Sequence, residues 1–446
     1  MADEPLALRL SDMLSMHNDL TAKTLDDMQD FCEVTQDFAF FCIDVSILCE
    51  SYRLHKAPTG GLPNACGKWL KSCSNIEGNP LKFKAAVLSE FRAPLKIETL
   101  GLTQLADTDV LVRVRATSLC HTDLEGIEGN LGVPLPIVPG HEAAGVVEWI
   151  GRSVTRVQIG DHVVMSWNPH CGECFYCARH QPILCESYRA NAAKSYHFDG
   201  RHRLESECGA PVHQLAYLGT FSEVCVVDES CAVKVPNEIP FNRACLLGCG
   251  VMTGVGAAMH IAQIEKGATV TVIGCGAVGL SAVQGARLAG ASRVIAIDRQ
   301  REKLDLAEVV GATDTLVVND SLVASHLTLT HGRGADCVIE AAGTRAAFRA
   351  SVEMVRVGGQ VVWLGKLPTN EELAFRWGAL MGEKRIVRSS YGGADPWHDF
   401  PWLANAYLDG SLKLDEYVTS SISLEDVNVG LSRLAAGEDI RAVIEF

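Results

Sequence analysis

The 446-residue chain lacks the features that would send it across or into a membrane. Its first ten residues carry Asp3 and Glu4 rather than a basic start before a long apolar run, which argues against a secretory leader. No stretch of 18 or more uncharged apolar residues occurs, so a spanning helix is not expected. Positive charge is scarce, with 39 Lys and Arg against 54 Asp and Glu and a net charge of −15. Such a surface repels phosphate backbones, which leaves no nucleic acid and no membrane among the expected partners and favours a small molecule. Repeats and low-complexity tracts are absent too, which removes solenoid architectures. The expectation is a cytoplasmic protein whose thiols stay reduced.

Cysteine is abundant, with 17 residues, and in a reducing compartment spacing decides what they do. The length favours more than one domain. Residues 1–80 stand apart, with 12 acidic against 6 basic residues and scattered cysteines, and read as an N-terminal extension of unknown role. Helical pieces through Leu10, Leu14, Leu20 and Leu25 and a loop-rich link at Pro58–Gly67 are expected there. From Lys82 short strands such as Lys84–Leu88 and Val110–Arg115 alternate with Gly/Pro turns, predicting a β-rich region to about Pro236. A βαβ alternation follows: strand Ala268–Ile273, helix Val278–Ala289, strand Arg293–Asp298, then Cys337–Glu340 and Val361–Leu364. The class is α/β, with a doubly wound nucleotide-binding region.

Cys171-Gly-Glu-Cys174-Phe-Tyr-Cys177, with Cys185 eight residues on, has the spacing of a closed tetrahedral zinc site. Four thiolates leave no open coordination place, so the role is structural. An iron–sulfur cluster also uses thiolates, but the short second gap favours zinc.

Gly274-Cys-Gly276-Ala-Val-Gly279 directly follows an apolar strand and opens a helix. In that context it predicts a dinucleotide pyrophosphate resting on the helix N-terminus. Asp298 ends the next strand, where a carboxylate accepts from ribose hydroxyls and repels a 2′-phosphate; this favours NAD although Arg299 follows.

Cys120-His121-Thr122-Asp123, Gly140-His141-Glu142 and Gly248-Cys249-Gly250 are each weak alone. With Thr253 and the four-cysteine loop, however, the set resembles the zinc-containing medium-chain alcohol dehydrogenase family over about residues 81–446, in order. The resemblance implies a β-rich GroES-like catalytic domain (81–249 and 392–446), a Rossmann NAD-binding domain (250–391), two zincs per chain and a homodimer or homotetramer. It makes Cys120, His141 and Cys249 ligands of a catalytic zinc. Asp123 and Glu142 then stand behind the ligands, and Thr122 takes the substrate proton. Two thiolates and one imidazole leave a fourth position where an alcohol loses its proton more readily. In several relatives the proton path ends at a histidine, where this chain has Glu125. The resemblance further assigns His121 and Arg441 to the coenzyme pyrophosphate, Lys303 to the adenosine ribose, Val278 and Thr253 to the nicotinamide, and Trp167 to the substrate pocket.

Leu218-Gly219-Thr220-Phe221-Ser222-Glu223 is similar to the glutathione-dependent formaldehyde dehydrogenase, class III-like branch. That branch holds its thiol adduct with acidic side chains where this chain reads Asn130-Leu131-Gly132-Val133. The expectation is therefore oxidation of a primary or aryl-type alcohol to an aldehyde with hydride transfer to NAD. A thiol-adduct formaldehyde dehydrogenase and a non-catalytic, zinc-stabilised dinucleotide sensor are the alternatives.

Overall fold

A computed structural model describes residues 81–191, 195, 197–368 and 370–446; the helical pieces and link expected within 1–80 lie outside the described residues. The chain begins with β1 (Phe83–Val87), β2 (Lys96–Leu102) and β3 (Asp109–Ser118), then helix α1 (His121–Ile127). Strands β4 (Ile137–Val138), β5 (Glu142–Ile150), β6 (His162–Met165), β7 (Leu204–Ser206), β8 (Pro211–Gln214), β9 (Val224–Asp228) and β10 (Ala232–Lys234) follow. They form two sheets. One has the order β1-β2-β7-β8-β4. The other is built on β3, which pairs with β5 and β9 and with the C-terminal β18 (Arg441–Glu445), itself beside β17 (Val418–Ile422). The chain's last strand thus returns to its earliest long one.

Helix α2 (Phe241–Ile261) links this region to the next. It is long and apolar enough to cross a membrane by length and composition, with mean hydropathy 1.6, but most of it is buried inside the fold. Its apolarity serves the core that Leu246, Leu247, Val251 and Val255 share with the next sheet.

That sheet is parallel throughout, with six strands: β11 (Thr269–Ile273), β12 (Arg293–Asp298), β13 (Asp314–Val317), β14 (Ala335–Glu340), β15 (Val355–Trp363) and β16 (Arg385–Arg388). Val270, Val272, Val294–Ile297, Val338, Ile339, Val361 and Val362 are all buried, the near-continuous apolar runs of strands covered on both faces. The order β13-β12-β11-β14-β15-β16 reverses direction between β11 and β14. A crevice therefore opens beyond the carboxyl ends of those two strands, where such sheets bind ligands. Helix α3 (Ala277–Leu288) starts at that crevice.

Candidate active site

Register brings the first two site segments together. Ser118 at the end of β3 pairs with Glu142 at the start of β5, so Cys120, just past one strand, and His141, just before the other, become neighbours. Asp123 joins them. One carboxylate oxygen accepts from the Cys120 backbone N–H at 2.9 Å, capping α1, and the other accepts from Gly140 N–H at 3.1 Å. The second oxygen also lies 2.9 Å from His141 Nδ1. That bond fixes the ring and leaves Nε2, buried and without a hydrogen-bond partner, as the free donor.

Cys249 arrives from α2, within a π-helical turn at Leu247–Val251; such turns often mark functional positions. Its neighbours must be glycine because the helix lies against strands. A Cβ on Gly248 would meet the Met165 carbonyl at 2.8 Å, and one on Gly250 would meet Arg441 Nη2 at 2.5 Å. Cys120, His141, Glu142 and Cys249 offer donor atoms that all lie within 4.8 Å of one another. Arg441 grips Glu142 through two bonds of 3.1 and 3.2 Å, both groups buried, so this carboxylate stands behind the cluster with its charge paired.

The electrostatics suit a cation. The hydrogen bond from Cys249 holds the Cys120 thiol well below its ordinary pKa against the cost of burial, with His141 adding to the effect, while the same bond and burial hold Cys249 well above it. Burial works against protonating His141, but Asp123 and Cys120 outweigh it and raise its pKa well above the usual value. Burial pushes Glu142 up to about 7 against the pull of Arg441. A dry pocket holding two sulfurs and one imidazole with an unused nitrogen fits zinc.

The coenzyme crevice is built as tightly. Gly274 sits at φ 94°, and a Cβ on Gly279 would fall 1.7 Å from the Gly274 carbonyl, so the glycine turn closes only without side chains. Nothing lies within 4 Å of a Cβ placed on Gly276, which leaves the approach to the α3 N-terminus open. Asp298 accepts from Cys275 N–H at 2.7 Å and Gln300 N–H at 3.0 Å, which aims its carboxylate along the turn. Lys303 is half-buried on helix α4 (Arg301–Val309), and its charge is felt at Cys275. Thr253 and Val278 come together because α2 packs on α3 so closely that a Cβ on Gly254 would meet the Val278 carbonyl at 2.2 Å. His121 is exposed at the first turn of α1. Arg441 is spent on Glu142 rather than standing free.

Trp167, half-buried, packs on Tyr391 with ring centroids 4.3 Å apart and planes tilted by 37°, and approaches Tyr188 at 6.4 Å, which in turn meets Tyr217 at 5.5 Å. The Tyr391 hydroxyl donates to the Gly248 carbonyl, so the aromatic cluster is tied to the turn that carries Cys249. Tyr391 escaped the sequence reading, although Tyr-Gly-Gly with all three residues at positive φ is a turn signature. Lys366, whose Nζ lies 3.3 Å from Glu125 and 3.4 Å from Thr122 Oγ1, escaped it too; nothing local distinguishes a lysine in a loop.

The four-cysteine loop folds on itself. The sulfurs of Cys171, Cys174, Cys177 and Cys185 lie within 4.8 Å of one another, and Cys171 N–H points at Cys185 Sγ from 3.4 Å. Backbone N–H groups of Cys177 and Glu186 lower the Cys174 thiol to about 6, whereas burial and the Cys174 sulfur push Cys177 up to about 12. Four sulfurs closing on one point fit a zinc ion with no open position.

Residues 106–237 match the alcohol dehydrogenase GroES-like domain and residues 277–408 the zinc-binding dehydrogenase family. The class-3 alcohol dehydrogenase of Myxine glutinosa is 36% identical over 381 residues, which cover 84% of this chain and 100% of the relative. The NDMA-dependent alcohol dehydrogenase of Amycolatopsis methanolica is 38% identical over 368 residues, 82% of this chain and 99% of the relative. The benzyl alcohol dehydrogenase of Acinetobacter calcoaceticus superposes with a TM-score of 0.77 at 30% identity, covering 82% of this chain and 99% of its own. The chain belongs to the zinc-containing medium-chain alcohol dehydrogenase family, NAD-dependent oxidoreductases that carry zinc.

Proposed function

We propose that this protein oxidises a primary or aryl-type alcohol to an aldehyde, passing the hydride to NAD, in a cleft between a zinc-holding domain (81–249 and 392–446) and a coenzyme domain (250–391). The observation that carries the reading is the buried, unpartnered His141 Nε2 gathered with the Cys120 and Cys249 sulfurs. These three would hold the catalytic zinc, which when bound supplies Lewis acidity to the alcohol oxygen; NAD, when bound, supplies the hydride acceptor. Asp123 keeps the imidazole turned toward the sulfurs. Thr122, on the same helix turn, takes the hydroxyl proton. Glu142 with Arg441 sets the charge behind the ligands. In the crevice, Gly274, Gly276 and Gly279 would admit the pyrophosphate with help from His121, Arg441 being held by Glu142. Asp298 and Lys303 would hold the adenosine ribose, and Thr253 and Val278 the nicotinamide. Cys171, Cys174, Cys177 and Cys185 would hold the structural zinc. The linked rings of Trp167, Tyr391, Tyr188 and Tyr217 favour a flat, apolar substrate, because aromatic pairs reward stacking beyond simple burial. We further propose a cytoplasmic homodimer or homotetramer.

Steady-state rates with NAD across benzyl, cinnamyl and straight-chain alcohols, beside formaldehyde plus glutathione, test the reading. The highest kcat/KM is expected with aryl alcohols. Turnover confined to the thiol adduct, or none at all with two zincs and NAD bound, would overturn it.

A further inference from the structure

Lys366 leaves the chain on the parallel sheet and ends on the other side of the cleft. Its backbone is anchored at the crevice: the Leu364 and Gly365 N–H groups donate to the Glu340 carbonyl at 2.8 and 3.0 Å, and a Cβ on Gly343 would meet the Lys366 carbonyl at 2.9 Å. The Gly343 turn is held in turn by the Glu340 carboxylate, which accepts from Ala342 and Gly343 N–H at 2.9 and 2.7 Å, and it abuts the glycine turn at Gly274. From this fixed base the side chain reaches α1, where its Nζ lies 3.4 Å from Thr122 Oγ1 and 3.3 Å from Glu125 Oε2. The ion pair is half-exposed, with side-chain exposures of 52% and 34%, so water reaches its outer edge. The charged groups around it are Glu125 and the exposed His121 on α1, with Glu340 under Gly365 and Arg388 donating to the Trp363 carbonyl at 2.7 Å on the sheet side.

We propose that Lys366, paired with Glu125, carries the proton between Thr122 and solvent, acting through Thr122 from the coenzyme side of the cleft. This rests on the reading of Thr122 given above. In the oxidation direction the alcohol O–H bond breaks and its proton goes to Thr122 Oγ1. The Lys366 ammonium first gives a proton to Glu125 and onward to water, and the neutral amine then takes the proton that Thr122 held. The hydride leaves with its electron pair for the oxidised nicotinamide. Lys366 carries the same charge before and after, and aldehyde reduction runs the path backwards. An ordinary surface ion pair would also bridge the cleft, but it would not place one ammonium within reach of both the hydroxyl and a wet carboxylate.

Arginine separates the two roles, because a guanidinium keeps the charge and the pair yet does not give up its proton. In the full-length, zinc-loaded enzyme, Lys366→Arg and Lys366→Met are both expected to lower kcat at neutral pH by about tenfold, below the usual contribution of a positioned acid–base group because water partly substitutes. The deficit should shrink as pH rises, with a larger solvent isotope effect than in the unaltered protein. Added ethylamine should restore Lys366→Ala in proportion to its concentration. NADH affinity by fluorescence and zinc content should stay unchanged. Full activity in Lys366→Arg, no amine rescue, or loss of NADH binding in every variant would overturn the proposal. An unaltered enzyme that turns over no alcohol would instead overturn the reading of the site.

Discussion

The two cysteine clusters use similar donors and differ in how they are assembled. Cys171, Cys174, Cys177 and Cys185 come from one short stretch, are half-exposed except for the buried Cys185, and spend every donor on one point. Cys120, His141 and Cys249 come from the end of one strand, the start of another and a helix more than a hundred residues on, and all but Cys249 are buried. A local cluster secures its own loop. An assembled one is held by the fold around it, so it is free to leave a position open.

The sharpest way to break this contrast is to remove one sulfur from each. Cys249→Ser should abolish alcohol oxidation while circular dichroism and melting temperature stay close to those of the unaltered protein, with one zinc lost per chain. Cys174→Ser should do the opposite: a melting transition lowered by the loss of a bound metal, an effect on the order of several kcal/mol, with kcat per folded molecule nearly kept. If Cys249→Ser unfolded the protein while Cys174→Ser silenced it, the two clusters would have to exchange roles.

Glu340 measures what burial costs away from both clusters. Burial raises its carboxyl from 4.5 to about 7 despite N–H bonds from Ala342 and Gly343. The folded state therefore binds a proton that the unfolded state releases between those pH values, and stability contributed by the neutral acid is lost as pH rises through that window. Denaturation midpoints should fall from pH 4.5 to 7 by an amount equivalent to roughly 3 kcal/mol at most, and Glu340→Gln should flatten that slope. An unchanged slope in the variant would assign it to other groups.

The smallest effect is expected where the assembled cluster meets its support. Asp123→Asn keeps the side chain's shape but weakens its hold on His141 Nδ1 and the cap on α1. Zinc affinity at the assembled site, read by competition with a chromogenic chelator, should fall about 10- to 100-fold, while release from the four-cysteine loop is unaltered. Equal loss from both would mean that the substitution acts on the fold at large.

Much of the fold was legible before any coordinates. The strand Arg293–Asp298 was placed to the residue, and β11 and α3 within one or two, because strands buried on both faces and a glycine turn opening a helix leave strong local patterns. Strand β3 runs on to Ser118 and β15 begins at Val355, beyond the stretches expected, because ladder partners extend a strand past its own apolar run. In the site, the motifs around Cys120, His141 and Cys249 stood out only as a set. Tyr391 and Lys366 did not, since their roles depend on Trp167, Gly248, Thr122 and Glu125, all distant in sequence.

Spacing within a few turns of chain carries its own geometry, so the four-cysteine loop, the glycine turn before α3 and the carboxylate ending β12 could be read from the order of residues alone. Distance across the chain carries none. Only folding decided that Ser118 pairs with Glu142, that Arg441 is spent on Glu142, and that Lys366 crosses to Thr122, because sheet register and helix packing, not neighbouring residues, set which side chains share a few ångströms of space.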